Sequence, residues 1–445
     1  MMTVPRTICI GFLALIAIGT LLLMLPFATA SGEWTNPLVA IFTATSAVCV
    51  TGLIVVDTGS YFSSFGQGIV LMLIQLGGLG YMTATTLLLL LIGRKLCLKD
   101  RLAIQQAMDT AELANVNALV VSIISMTFIF ELTGAFCLMP TFTPEFGTGR
   151  ALWLSIFHSI SAFNNAGFSL FSDSLVQYAE NAWPMAVISA LIIIGGIGYQ
   201  VIMEAFMWAK ARITRKKEHT IFSLHFKIVT STTLILLVLG TIAFLFIEFD
   251  NPATLAGKSF GAKALLAGFQ SVVMRTAGFN SIDIGAMETS ALFVAIALMF
   301  VGASPGSTGG GIKTTTVRIL LMSTKAALQG KEEVNCYQRQ IPVSRILKAL
   351  SVVVASAVSV VIITTCISLS DPELTFISIL FESVSAFATV GLSTGITADL
   401  STWGQIFIIV TMYIGRVGIL LLMSALLGDP SPSVIRYPEE DLLTG

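Results

Sequence analysis

Four stretches of this chain repeat one pattern of small and polar residues that ends in glycine. Phe42–Gly52, Phe157–Gly167, Gly268–Gly278 and Phe381–Gly391 align without gaps, and their glycines lie 115, 111 and 113 residues apart. Each stretch is an apolar helix-like run followed by a few residues that cannot continue a helix. In a membrane, irregular backbone survives only where protein buries it or where it lines a water-filled cavity. Four such segments around one axis can aim rings of carbonyl oxygens inward and replace the water that a cation sheds. The preceding short helix would turn the negative end of its dipole to the same place. Glycine suits the position because it adopts backbone angles closed to other residues. The chemistry these segments offer is cation coordination, not bond making.

Two further features belong with them. Gly302-Ala303-Ser304-Pro305-Gly306-Ser307-Thr308-Gly309-Gly310-Gly311 interrupts an otherwise apolar span. Proline removes a helix donor and glycine is a poor helix former, so a regular helix is not expected there. Below a pore, such a segment serves either as a flexible constriction or as a passive kink. Arg416 is the single charge in residues 400–428, and a central arginine costs at least ~2.5–3.5 kcal/mol. It calls for a role in permeation, a structural partner, or both. The loop also imitates two catalytic motifs. Gly302-Ala-Ser304-Pro-Gly306 fits G-x-S-x-G, yet no strand leads into it, and His158, His219 and His225 are placed on other levels of the membrane. A phosphate-binding loop would need an unbroken Gly-Lys pair, which Ile312 separates here.

These segments need a membrane scaffold, and the composition supplies one. Of 445 residues, 55% are hydrophobic and 11% charged, against about 25% charged in soluble domains. The net charge of -1 gives no basic field for nucleic acid. Six scattered cysteines and three histidines offer neither a disulfide framework nor a zinc site. Spans are expected over 7–32, 58–93, 113–139, 181–203, 228–247, 289–312, 349–370 and 400–428, with Glu131 the one charge in the third. The first run imitates a secretory leader at Ala28-Thr-Ala30 but is read as a retained helix. With the N-terminus inside, 19 of 24 basic residues fall on the inner side, including Arg94, Lys95, Lys99 and Arg101, so both termini are expected in the cytoplasm. Acids such as Asp57, Asp173 and Asp399 fall outside, where they attract cations or simply solvate loops. The fold expected is an all-α membrane protein of four tandem span–pore helix–span units around a pseudo-fourfold pore. It has eight spanning helices and four re-entrant ones, divided at 1–110, 111–220, 221–340 and 341–445. The Gly-Gly-x-Gly echoes at Gly77, Gly195 and Gly415-Arg-Val-Gly418 are read as helix packing.

In these residues the chain resembles the Trk/Ktr/HKT superfamily of potassium transporters, and within it the membrane subunits of bacterial Ktr uptake systems. The resemblance runs through the four glycine segments, the loop and Gly415–Gly418. It implies four M1–P–M2 units in one chain and a filter made by Val50-Thr51-Gly52, Asn165-Ala166-Gly167, Thr276-Ala277-Gly278 and Thr389-Val390-Gly391. It also implies an intramembrane gate at Gly302–Gly311, with Arg416 beneath the filter. In plant relatives a serine for the first glycine accompanies sodium selectivity, so Gly52 implies potassium as substrate, with stimulation by sodium in some members. Arg275 departs from the pattern, standing where the other segments have Cys49, Asn164 and Ala388; an outward, paired side chain is expected. The resemblance further implies a homodimer in the cell membrane and a cytoplasmic nucleotide-binding RCK ring of the KtrA kind. Basic loops at 210–227 and the tail Tyr437–Asp441 are candidate contacts, or else solvated topology determinants. This chain itself holds no nucleotide motif. The alternative is a secondary transporter working by alternating access. Against it, the repeats share one orientation and acids are scarce near the midplane.

Overall fold

The computed structural model describes residues 3–80, 116–214 and 222–428. Arg94–Arg101, Arg215–Lys217, His219, the tail from Tyr437 and the unit boundaries near 110 and 220 lie outside those residues.

The first unit consists of α1 (Val4–Met24), the short α2 (Pro37–Val48) and α3 (Ser64–Leu79). The second has α4 (Val116–Phe163), α5 (Ala182–Ile197) and α6 (Tyr199–Ile213). Helix α4 is really a span and a pore helix joined at Gly147, whose φ of 71° breaks the run. The third unit holds α7 (Leu224–Ile247), α8 (Phe260–Val273), α9 (Thr289–Phe300) and α10 (Thr314–Leu328). The fourth holds α11 (Val343–Ser370), α12 (Phe376–Ala388), α13 (Thr402–Val417) and α14 (Ile419–Leu427). The helix starts are written in side chains. Asn36, Ser63, Asn181, Ser259 and Ser401 each accept a backbone N–H of the following first turn, satisfying donors that a helix leaves open.

Among the described residues, four helices are long and apolar enough to span alone, and two bent pairs span together. The bends correct the expectation of unbroken spans over 181–203 and 400–428. Helices α5 and α6 turn by 105° at Gly198, and α13 and α14 by 92° at Gly418. Gly198 and Gly418 have φ of 96° and 86°, and Gly80 at the end of α3 has 78°. Only glycine enters that region cheaply, so the last glycine of each Gly-x-x-Gly echo is a break, not only a packing residue. Among the described residues, the second spans of units two, three and four are interrupted; the third differs in carrying a long loop there.

A small departure from an all-helical chain follows α10. Asn335–Cys336 pairs with Arg339–Gln340 across a tight turn, with Tyr337 and Gln338 at φ of 48° and 62°. Cys336 is buried with Ile228, Ala326 and Ile341, so the hairpin caps its own small apolar cluster. On the opposite side, Lys258 Nζ donates to Glu180 Oε1 at 2.7 Å and joins the outer loops of units two and three. Lys258 holds the exposed Glu180 carboxyl below its ordinary value.

Candidate ion pathway

Each pore helix ends in the same reversal. Val50, Asn165, Thr276 and Thr389 have φ of 56°, 58°, 66° and 52°, a left-handed conformation costly for side chains branched at Cβ. It turns the chain back outward into a buried strand. The next residue but one is the glycine, at φ of 95°, 71°, 72° and 88° for Gly52, Gly167, Gly278 and Gly391. The glycines close a ring. A Cβ on Gly52 would strike the carbonyl of Ala166; on Gly167 it would lie 2.7 Å from Gly278 Cα; on Gly278, 2.7 Å from Val390 O; and on Gly391 it would strike Thr51 O. The glycines and the residues before them thus meet around one axis, each strand against the next and the fourth against the first. Strain concentrated in this way at four equivalent points makes the ring the candidate functional site.

The strands are braced from behind, in different ways. Ser46 Oγ accepts the Gly52 N–H at 3.0 Å and Ser385 Oγ accepts that of Gly391 at 3.1 Å. These serines share one register in the repeat, six residues before the glycine, which is the signal that identifies them. In the second strand the serine is turned: Ser161 Oγ donates to Phe168 O at 2.7 Å. The third strand has Val272 there. Arg275 does not meet its expectation of a partner. It is buried, its Nε has no hydrogen bond, and Lys258–Glu180 is the one ion pair among the described residues.

The loop from Gly302 to Gly311 lies directly under the ring. Three consecutive residues meet three consecutive strands at their left-handed position. Thr308 Oγ1 donates toward Phe163 O at 3.2 Å and Asn165 Oδ1 at 3.4 Å. A Cβ on Gly309 would strike Thr276 Oγ1, and one on Gly310 would strike Thr389 Oγ1. Backbone bonds pin the loop to the break in unit two: Ser304 N–H to Gly196 O at 3.0 Å, Thr308 N–H to Gly195 O at 3.3 Å and Tyr199 N–H to Gly306 O at 3.0 Å. Within the loop, Gly302 N–H bonds Ile312 O and Ala303 N–H bonds Gly310 O. Ser307 Oγ donates to Ser304 O, and Pro305 borders the cavity below. Ser304 Oγ is paired with Thr314 Oγ1, and His158 is held by Leu154 O and Ser169 Oγ, so the residues of the apparent nucleophile elbow are not brought together.

Two cations hold the loop's carbonyls. Arg416 donates to Thr308 O of unit three and to Gly77 O of unit one, with a longer contact of 3.4 Å to Gly78 O. Lys313 Nζ donates to Gly309 O at 2.8 Å; it lies just past the glycines and carries no motif of its own. The half-buried arginine therefore has carbonyl partners in two other units. Beneath the loop opens a cavity of about 660 Å³, bordered by Gly80, Tyr199, Gly306, Lys313, Arg345 and Arg416.

Comparison with known proteins agrees with this architecture. Residues 6–436 match the family described as TrkH, cation transport protein. The chain is 40% identical to Ktr system potassium uptake protein B of Bacillus subtilis, over all of this chain and 97% of that one. It is 39% identical to Potassium/sodium uptake protein NtpJ of Enterococcus hirae, over 99% and 97%. The crystal structure of the potassium transporter TrkH from Vibrio parahaemolyticus superposes with a TM-score of 0.72 at 16% identity, covering 94% of this chain and 85% of that one. A full-length family match, relatives near 40% identity and the same helical fold agree: this chain belongs to the TrkH family of cation transport proteins, in its Ktr branch.

Proposed function

We propose that this chain conducts potassium across the cell membrane through the ring of Val50-Thr51-Gly52, Asn165-Ala166-Gly167, Thr276-Ala277-Gly278 and Thr389-Val390-Gly391. The closed contact of four left-handed glycine strands is the observation that carries this reading. Carbonyls of these strands take over the hydration shell of the ion. Relatives named for potassium uptake support potassium as substrate, and the one named for potassium and sodium supports a role for sodium as stimulant.

The loop Gly302–Gly311 is the gate. While Thr308, Gly309 and Gly310 lie against Asn165, Thr276 and Thr389, no ion leaves the ring inward. Arg416 latches that state and adds a positive charge where a cation would pass. Opening requires the loop to leave the three strands and the latch to let go of Thr308. A cytoplasmic nucleotide-binding RCK ring acting on a homodimer of this chain would supply that work. The excess of basic residues in loops on one side sets both termini in the cytoplasm.

The test is potassium-limited growth of cells stripped of their own potassium uptake, with the intact chain, Gly52→Ser or Gly278→Ser, each alone and with an RCK partner. The intact chain should restore growth. The variants should lose potassium preference over sodium by about tenfold, the equivalent of ~1.4 kcal/mol of coordination. Unchanged preference in both variants at normal expression would remove the filter assignment. No rescue even with the partner would favour alternating access.

A further inference from the structure

Glu131 is the one acid in its span, and the ion pathway described above makes no use of it. It is 3% exposed, deep in a membrane segment where an ionisable side chain marks function more often than accident. Its carboxylate joins three elements. Oε1 accepts from Asn164 Nδ2 at 2.8 Å, and Oε2 accepts from Gln75 Nε2 at 3.3 Å. Gln75 Oε1 accepts from the same Asn164 amide at 3.2 Å. Ser159, on the pore helix, donates to the Glu131 backbone carbonyl at 2.6 Å. Gly78 faces Asn164 so closely that a Cβ there would lie 2.7 Å from Asn164 Cγ.

Asn164 immediately precedes the second filter strand, and that strand lacks the brace of strands one and four. There a serine hydroxyl takes the N–H of the filter glycine; here Ser161 bonds Phe168 O instead. In strands one and four the residue equivalent to Asn164 is Cys49 or Ala388, neither of which can anchor to a neighbouring helix in this way. The second strand is held from its inner end where strands one and four are held at the glycine.

We propose that Glu131 is a positioning residue for ion selectivity. It fixes Asn164 between α3 and α4, and through Asn164 it sets the carbonyls of Asn165 and Ala166. This inference rests on the filter reading above. The carboxylate suits the task because it accepts two amide donors at once, whereas an amide or hydroxyl in its place would accept only one without reorienting Gln75.

The experiment measures the potassium-to-sodium permeability ratio in proteoliposomes, with unfolding temperature in detergent alongside. Glu131→Ala should lower the ratio about fivefold, as loss of a buried hydrogen bond allows, and Glu131→Gln, which keeps one acceptor, should recover only part of it. The double variant Glu131→Leu/Asn164→Ala removes both polar partners without leaving a lone buried charge, and alanine is what strand four carries. It should fold and show the same loss. A folded double variant with the parental ratio overturns the proposal. Failure of all three variants to assemble assigns the network to folding alone and overturns it too. Gly167→Ser separates the two readings. If it alters the ratio while the Glu131 variants do not, only the present inference falls; if it also leaves the ratio unchanged, the filter reading falls with it.

Discussion

Arg416→Ala should raise potassium flux through the chain alone by about 100-fold. The guanidinium spans three units, from α13 to the loop at Thr308 and to the break of α3 at Gly77. A hydrogen bond from a charged donor contributes ~1.5–3 kcal/mol, so losing the one to Thr308, which opening must break, shifts a closed-to-open equilibrium by about one to two powers of ten. Removing the charge acts in the same direction, because a cation in the pathway no longer meets a fixed positive group. Rubidium uptake into proteoliposomes containing the chain alone reads the effect directly. Arg416→Lys, which keeps the charge but not the fork of donors, should fall between the two. A folded alanine variant with parental or lower flux would make the arginine a structural tie and not a latch.

Gly415→Ala should prevent assembly. A methyl group there would run into the Phe387 carbonyl in the last turn of the fourth pore helix, with Phe387 C only 2.8 Å away. Gly77 against Val48 and Gly195 against Phe163 repeat the contact in units one and two. In each case the acceptor is the residue four before the filter glycine, and backbone cannot rotate aside as a side chain can. Overpacking of this kind costs ~1–3 kcal/mol and occasionally more, and it falls on the joint between second span and pore helix. Gly268→Ala, on the third pore helix, is the contrast. The nearest atom to a Cβ there is Thr241 Cγ2 at 4.0 Å, so the change should be neutral or stabilising by roughly 0.5–1 kcal/mol. Yield from membranes and unfolding temperature in detergent compare the two. A Gly415→Ala protein that unfolds at the parental temperature would show that the pore helix shifts freely at this joint.

The ring of glycines was legible in the chain because repetition converts weak signals into a strong one. A lone Val-Thr-Gly says little; four glycines in one register, each after a short apolar helix, identify the positions that the structure brings into a ring. Arg416 and the loop were legible as violations of membrane economy. The breaks at Gly198 and Gly418 were not, since a charge-free apolar run records burial and not direction, and their signal was the last glycine of each echo. Ser46 and Ser385 stood in the alignment, but their role needed the position of the glycine amide. Thr308 stood in the sequence only as one residue of the expected gate, and Lys313 was not singled out. What they do depends on which carbonyl or strand the loop brings within reach.

The four walls of the ring belong to one polypeptide, and this changes what a mutation can do. In a pore assembled from identical subunits, any substitution arrives in fourfold dose, so the walls cannot be adjusted separately. Here Cys49, Asn164, Arg275 and Ala388 occupy one register with four different chemistries. Each wall can be altered alone while the three others keep the ring closed. Selection on such a chain proceeds in quarter steps, and it can make one wall a hinge, another a brace and a third a charged lining without losing the ring.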